Sequence, residues 1–193
     1  MHFTLEAQKL IRQHVESTQP ARPWVAVDAT CGNGFDTLFL ASLVGTEGRV
    51  VAIDIQPQAI EITRNKLNEE KIGPQVALYC GCHSKLDDYL NSEAVTEVAV
   101  SMFNLGYLPF GNKEIITNKE TTLLAVERAF QRLAISGILT ILSYPGHPGG
   151  QEEQLAIEAW MRVHSHALSM HRFCDPENAK SPVLWVVRRL EGA

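Results

Sequence analysis

The chain alternates between two periodicities, and that alternation constrains its fold more than any single motif does. Short runs of apolar, largely β-branched residues end at a polar residue or a glycine. Each gives way to a longer stretch in which apolar residues recur every three or four positions. The short runs, read as strands, fall at 24–27, 49–53, 75–79, 95–103 and 138–143. The longer stretches, read as helices, fall at 4–17, 35–44, from Pro57 to about Lys71, 84–90, 119–133 and 151–164. Pro57 suits a first helical turn and Gly45 suits a helix end. Strands that alternate with helices form a parallel sheet covered on both faces. Two late strands, 167–173 and 183–188, have only the loop 174–182 between them, which predicts an antiparallel hairpin rather than a crossover. The expectation is a doubly wound α/β sheet of seven strands closed by a C-terminal hairpin. It is one domain over residues 1–193, with the helix 4–17 packed on it.

Composition agrees with that size of core. Of 193 residues, 45% are hydrophobic and 20% charged, which excludes disordered, collagen-like and coiled-coil classes. Lys and Arg number 17 against 22 Asp and Glu, a net charge of −5. That balance argues against a protein gripping nucleic acid with its whole surface and leaves room for one basic face. Four cysteines (Cys31, Cys80, Cys82, Cys174) in a chain this long predict no disulfide framework. Residues 1–14 mix Glu6, Lys9 and Arg12 among apolar residues, unlike a signal peptide, and no apolar run reaches the length of a membrane span. A cytoplasmic protein is expected.

Doubly wound sheets bind ligands beyond the carboxyl ends of their strands, so the residues after each strand carry the information. After the first comes Asp28-Ala-Thr-Cys-Gly-Asn-Gly34, where Gly32 and Gly34 let backbone approach a ligand at a helix N-terminus. The loop lacks the Gly-Lys-Ser/Thr ending of an ATP-binding loop. A dinucleotide fingerprint wants a small residue where Thr37 stands and no acid at Asp28, because a carboxylate repels pyrophosphate. An acid there favours a cationic ligand and points to S-adenosyl-L-methionine, which carries a sulfonium and an ammonium. A plain strand-to-helix turn is the alternative. Asp54, at the end of the second strand, is placed to accept hydrogen bonds from ribose hydroxyls, with Gln56 beside it; a helix cap is the alternative. His83 and Ser84 follow the third strand, where an adenine edge would lie. Cys80-Gly-Cys-His83 has no second ligand pair, so no metal is expected. Asn104 and Tyr107 follow the fourth strand, nearest a transferred group: the amide oxygen can accept from an amine and the ring can stack on a base. Tyr144 and His147 sit in a Gly- and Pro-rich segment, a candidate substrate lid.

Elsewhere packing accounts for the residues. Trp24, Trp160 and Trp185 read as core, as do Leu123, Leu124, Val126, Ala129, Phe130 and Leu133 at helical spacing. Arg188 and Arg189 read as solvated. Lys113, Lys119, Arg162, Arg172 and Lys180 lie near the site loops, as a basic rim or as scattered surface charge.

Taken together, Asp28-Ala-Thr-Cys-Gly-Asn-Gly-Phe-Asp-Thr37, Asp54-Ile-Gln56, Phe103-Asn-Leu-Gly-Tyr-Leu-Pro109 and Tyr144-Pro-Gly-His-Pro148 resemble a small family of class I methyltransferases, formerly catalogued as rRNA methylases. The resemblance covers nearly the whole chain, and Asn-Leu-Gly-Tyr-Leu-Pro is its most specific part. It implies a Rossmann-like fold and S-adenosylmethionine as cofactor. It implies a tRNA substrate, methylated on the 5-aminomethyl group of a wobble (2-thio)uridine. By position, Asp28, Thr30, Gly32, Asn33, Gly34, Asp36 and Thr37 would hold the methionine part, Asp54 and Gln56 the ribose, and His83 and Ser84 the adenine. Asn104 and Tyr107 would face the methyl group and the substrate. The sequence departs from the family at Phe110 and Asn112, where small and acidic residues are usual, and in 178–182, which keeps part of an Asn-x-Pro-Pro pattern. Other readings remain open on sequence alone: an rRNA or small-amine methyltransferase, a nicotinamide-dependent oxidoreductase, or a non-catalytic cofactor-binding module.

Overall fold

Seven strands form one sheet: β1 (Val25–Asp28), β2 (Arg49–Asp54), β3 (Val76–Cys80), β4 (Val98–Asn104), β5 (Leu133–Ser143), β6 (Leu168–Phe173) and β7 (Val183–Arg189). Six helices accompany them: α1 (Phe3–Thr18), α2 (Phe35–Val44), α3 (Pro57–Glu69), α4 (Leu86–Ser92), α5 (Lys119–Arg132) and α6 (Gly150–Val163). These come from a computed structural model that describes residues 3–20, 23–109, 111, 114–178 and 180–191. The departures at Phe110 and Asn112, and Lys113 of the expected basic rim, lie outside the described residues.

The strand order is β3-β2-β1-β4-β5-β7-β6. The five strands β3 to β5 pair in parallel, whereas β7 pairs antiparallel with both β5 and β6. From β1 the chain winds outward through β2 and β3, then returns to lay β4 on the other side of β1. The loops after β1 and β4 therefore diverge, and a crevice opens between them.

Both faces of the sheet's central strands are buried, which is why those strands read as continuous apolar runs, whereas the edge strands β3 and β6 are partly exposed. Val27, Val51, Phe103 and Leu139 face one layer, packed on Leu86, Val126, Phe130, Ile157 and Met161. Their chain neighbours Ala26, Val50, Met102 and Ile138 face the other, packed on Ile11, Leu40, Val44 and Ile60. Trp24, Trp160 and Trp185 are all buried.

The structure departs from the sequence reading in four places. β4 begins at Val98, and not at 95. β5 begins at Leu133, directly after α5, and not at 138. Val98 pairs with Leu133 and Val100 with Ile138, so two residues of β4 are matched by five of β5. Ser136 sits in this bulge at φ 62, and its carbonyl meets His14 Nε2 of α1 at 2.6 Å. Leu124, expected in the core, is 45% exposed, because the buried stripe of α5 runs through Ala125, Val126, Ala129 and Phe130. Arg189, expected in solvent, donates to the carbonyls of Leu133 (2.7 Å) and Gln131 (3.3 Å), where α5 leaves acceptors unpaired. Among the described residues no helix is long and apolar enough to cross a membrane.

The placement of Leu124 has a direct consequence for stability. Leu124→Gln should cost less than about 0.5 kcal/mol, while Phe130→Ala should cost ~3–5 kcal/mol. Urea midpoints at unchanged m-value measure both.

Candidate active site

The loop after β1 continues the parallel ladder past the strand ends. Ala29 N–H donates to Met102 O at 2.9 Å and Cys31 N–H to Ile53 O at 2.8 Å. Gly32 and Gly34 then take φ +50 and +79. At Gly34 a Cβ would approach Thr63 Oγ1 to 2.9 Å and its Cα to 3.0 Å, so α3 packs where only glycine fits.

Two carboxylates fix this loop from opposite sides. Asp28 accepts from Thr37 Oγ1 at 2.6 Å and from Thr30 N–H at 3.3 Å. Asp54 accepts from Gly32 N–H and Gln56 N–H, both at 2.9 Å. Thr30 Oγ1 in turn accepts from Asn104 N–H at 2.7 Å, which ties the loop to the end of β4.

Above the loop lies a cavity of about 890 Å³. Thr30, Gly32, Asn33, Asp36, Asp54, Gln56 and His83 line it, and so do Asn104 and Tyr107. Asp28, Gly34, Thr37 and Ser84 do not: the first three sit within or under the loop, and the Ser84 hydroxyl donates to Cys82 Sγ at 3.1 Å. Of the segment after β5, Tyr144, Gly146 and His147 reach the wall. Cys31 is buried with its sulfur accepting from Thr63 Oγ1 at 3.6 Å, and burial pushes its thiol pKa up. Among the described residues no group of three or more His, Cys, Asp or Glu is placed to hold a metal ion.

One side of the wall comes from α1, whose contribution the sequence does not signal. Gln8 Nε2 donates to Asp36 Oδ1 at 2.7 Å. Asn104 Nδ2 donates to Asp36 Oδ2 at 3.5 Å, and Asn104 Oδ1 accepts from the Tyr144 hydroxyl at 3.1 Å. The Asn104 amide is held at both ends and one lone pair of its oxygen stays free. Glu153 is a second residue the sequence reading missed. It is buried and accepts from Thr122 Oγ1 at 2.6 Å and Thr117 Oγ1 at 3.0 Å. The signal was available, since Glu153 is an acid on the same helical stripe as Ile157, Trp160 and Met161.

The electrostatics of the wall select for positive charge. Burial raises the pKa of Asp28, Asp36 and Asp54 above the ordinary carboxylate range. Asp28 reaches about 8, with the charge of Asp36 adding to burial and the Thr37 and Thr30 hydrogen bonds opposing it. Lys180 is the single lysine or arginine in the described part of the wall. His83 is neutral at physiological pH, because burial lowers its pKa to about 4, and its Nε2 is buried without a partner. An adenosine carrying a cationic amino-acid arm fits these features. Asp54 keeps lone pairs for ribose hydroxyls, His83 Nε2 lacks a partner, and Asp36 offers charge to the cation.

A seven-stranded sheet in this order, with a glycine loop fixed by carboxylates over its switch point, defines a class I methyltransferase that uses S-adenosylmethionine. Similarity to known structures agrees. A structure described as a "putative rRNA-methylase" from Clostridium thermocellum superposes with a TM-score of 0.87 at 35% identity, covering 96% of each chain. A structure described as a "putative methyltransferase" from Streptococcus mutans in complex with SAH superposes at 0.81 with 28% identity, covering 97% of each. The chain belongs to the family described as "Putative rRNA methylase", whose model matches residues 50–188. A model of protein-L-isoaspartate(D-aspartate) O-methyltransferase matches residues 10–85. A curated relative from Arabidopsis thaliana, the chloroplastic tRNA (mnm(5)s(2)U34)-methyltransferase, is 43% identical over 143 residues. That match takes in 69% of this chain, which spans about half (51%) of the relative's length. The family and fold are thus those of S-adenosylmethionine-dependent methyltransferases, and the oxidoreductase reading is set aside.

The raised carboxyl pKa values predict a proton signature. Between 3.8 and about 8 the folded protein holds a proton at Asp28 that the unfolded chain does not, so stability without cofactor falls as pH rises through that window. A bound cation favours the ionised carboxyls, so S-adenosylmethionine binding should release protons near pH 7. The release should fade as pH rises past about 8, where Asp28 is already ionised. Calorimetry in two buffers of different ionisation enthalpy measures it; proton uptake would contradict the wall's assigned charge.

Proposed function

We propose that the enzyme methylates the 5-aminomethyl group of (2-thio)uridine at the wobble position of tRNA. The observation that carries this reading is the held amide of Asn104 at the end of β4, inside an acid-lined wall. A primary alkylamine is cationic at neutral pH, and Asp36, adjoining Asn104, offers it opposite charge before it gives up a proton to solvent water. The free lone pair of Asn104 Oδ1 can then accept an N–H of the neutral amine, directing the nitrogen's own lone pair towards the methyl carbon. Bound S-adenosylmethionine supplies the methyl group in activated form, so alignment is the protein's main task.

In this reading Thr30, Gly32, Asn33 and Asp36 hold the methionine part, Asp54 and Gln56 the ribose, and His83 the adenine. Asp28, Gly34, Thr37 and Ser84 shape the loops behind them. The cavity mouth supports a nucleic-acid substrate. Phe35 (63% exposed) and Tyr107 (43% exposed) present rings at the wall, and the Lys66 ammonium lies 3.8 Å from the Phe35 ring centroid. Exposed rings beside a cation suit unstacked bases of a single-stranded loop next to a phosphate backbone. The similarity to the Arabidopsis tRNA methyltransferase supports the same substrate.

Nucleoside mass spectrometry of tRNA from a strain lacking the protein tests the assignment. The expected result is accumulation of 5-aminomethyl-2-thiouridine and loss of its N-methyl product; an unchanged wobble profile would overturn it. With the purified enzyme, Asn104→Ala should lower kcat on that tRNA about 100-fold. Phe35→Ala should instead raise KM for tRNA roughly tenfold at unchanged kcat.

A further inference from the structure

Glu153 is a buried carboxyl that methyl transfer does not use. It sits on the apolar stripe of α6, where an uncharged side chain of similar size would pack at lower cost. Its two oxygens reach in different directions. Oε1 accepts from Thr122 Oγ1 within α5, and Oε2 accepts from Thr117 Oγ1 in the segment leading to α5.

Thr117 passes that contact onward. Its hydroxyl accepts from Gly106 N–H at 2.8 Å while donating to Glu153 at 3.0 Å. Its own N–H donates to Gly106 O at 2.9 Å, and a bridge joins Tyr107 to Ile116. A carboxylate can only accept, so it commits the Thr117 proton and leaves the hydroxyl lone pair to Gly106. Gly106 has φ +107, a conformation closed to most residues, and it lies between Asn104 and Tyr107. Backbone in that conformation persists when its surroundings hold it.

We propose that Glu153 is a positioning residue: through Thr117 it fixes the backbone at Gly106 and so sets Asn104 and Tyr107 against the substrate. This rests on the reading that Asn104 and Tyr107 face the substrate. Four variants separate the role from plain packing. Thr117→Val keeps the shape and loses the hydroxyl, Thr117→Ser keeps the hydroxyl, Glu153→Gln loses one acceptor, and Thr122→Val breaks the other bond to the same carboxylate.

Two readouts are used on the full chain. The first is exchange of the Gly106 amide hydrogen, which needs no substrate. It should speed up in Thr117→Val and Glu153→Gln and stay slow in Thr117→Ser and Thr122→Val. The second is turnover of tRNA from the deletion strain. Thr117→Val and Glu153→Gln should each lose about tenfold in kcat, the effect of one hydrogen bond, with S-adenosylmethionine affinity unchanged. Thr117→Ser should stay near wild type, and Thr122→Val should lower Tm without lowering kcat. Gly106 exchange that is the same as wild type in Thr117→Val, or in a folded Glu153→Gln, would overturn the proposal. So would equal losses of kcat and Tm in Thr117→Val and Thr122→Val. If Glu153→Gln fails to fold, the two Thr117 variants decide. If wild type does not methylate that tRNA, the wobble-uridine reading fails, and the exchange pattern still decides the role of Glu153.

Discussion

Asp28 and Asp54 grip the loop after β1 from two sides, and every other part of the cavity is set relative to that loop. Each uses both carboxylate oxygens on the loop or its flanks, through Thr30, Thr37, Gly32 and Gln56. With Asp36 they place two buried acids and one half-buried acid within one small region, an arrangement that costs folding free energy in the protein alone. The cost has a use. A site that is uncomfortable without positive charge binds a sulfonium and an ammonium with corresponding preference. The two glycines complete the arrangement by letting the loop turn tightly enough for α3 to close against Gly34.

From this loop a single set of contacts runs across the site. Gln8 of α1 holds Asp36, Asp36 holds Asn104, and Asn104 meets Tyr144 after β5. Elements far apart in sequence therefore meet on one amide. Gln8 and Asn104 share the Asp36 carboxyl, so its charge state bears on the geometry of both. Glu153 gives the same segment a second support from beneath, reached through α6 and not through the sheet ends.

The fold was legible because its signals are local and repeated. Apolar runs buried on both faces, Pro57 at a helix start, and the missing helix between 173 and 183 suffice for the strand order's general plan. The start of β5 was not legible. Residues 134–137 read as a connection, yet they form a bulge whose pairing depends on β4 and whose carbonyl is held by His14 of α1. Leu124 was misplaced because Leu123 and Leu124 both match a helical stripe, and only the angle at which α5 meets the sheet decides between them. In the site, positions after strands located Asp54, Asn104 and Tyr107 on the cavity wall. Sequence could not say on which side of the loop Asp28 and Thr37 lie. Nor could it find Gln8, a polar residue at the margin of the buried stripe of an ordinary helix.

The cysteines divide by accessibility in a way that offers a built-in clock. Cys31 is buried within the loop itself, its thiolate disfavoured by burial and by Asp28 and Asp54, while Cys80 is open to solvent at the end of β3. An alkylating reagent therefore reaches Cys80 on the intact protein and Cys31 only when the loop lifts from β2. The ratio of the two labelling rates reports how often the cofactor's seat comes apart, without a dye, a substrate or a mutation.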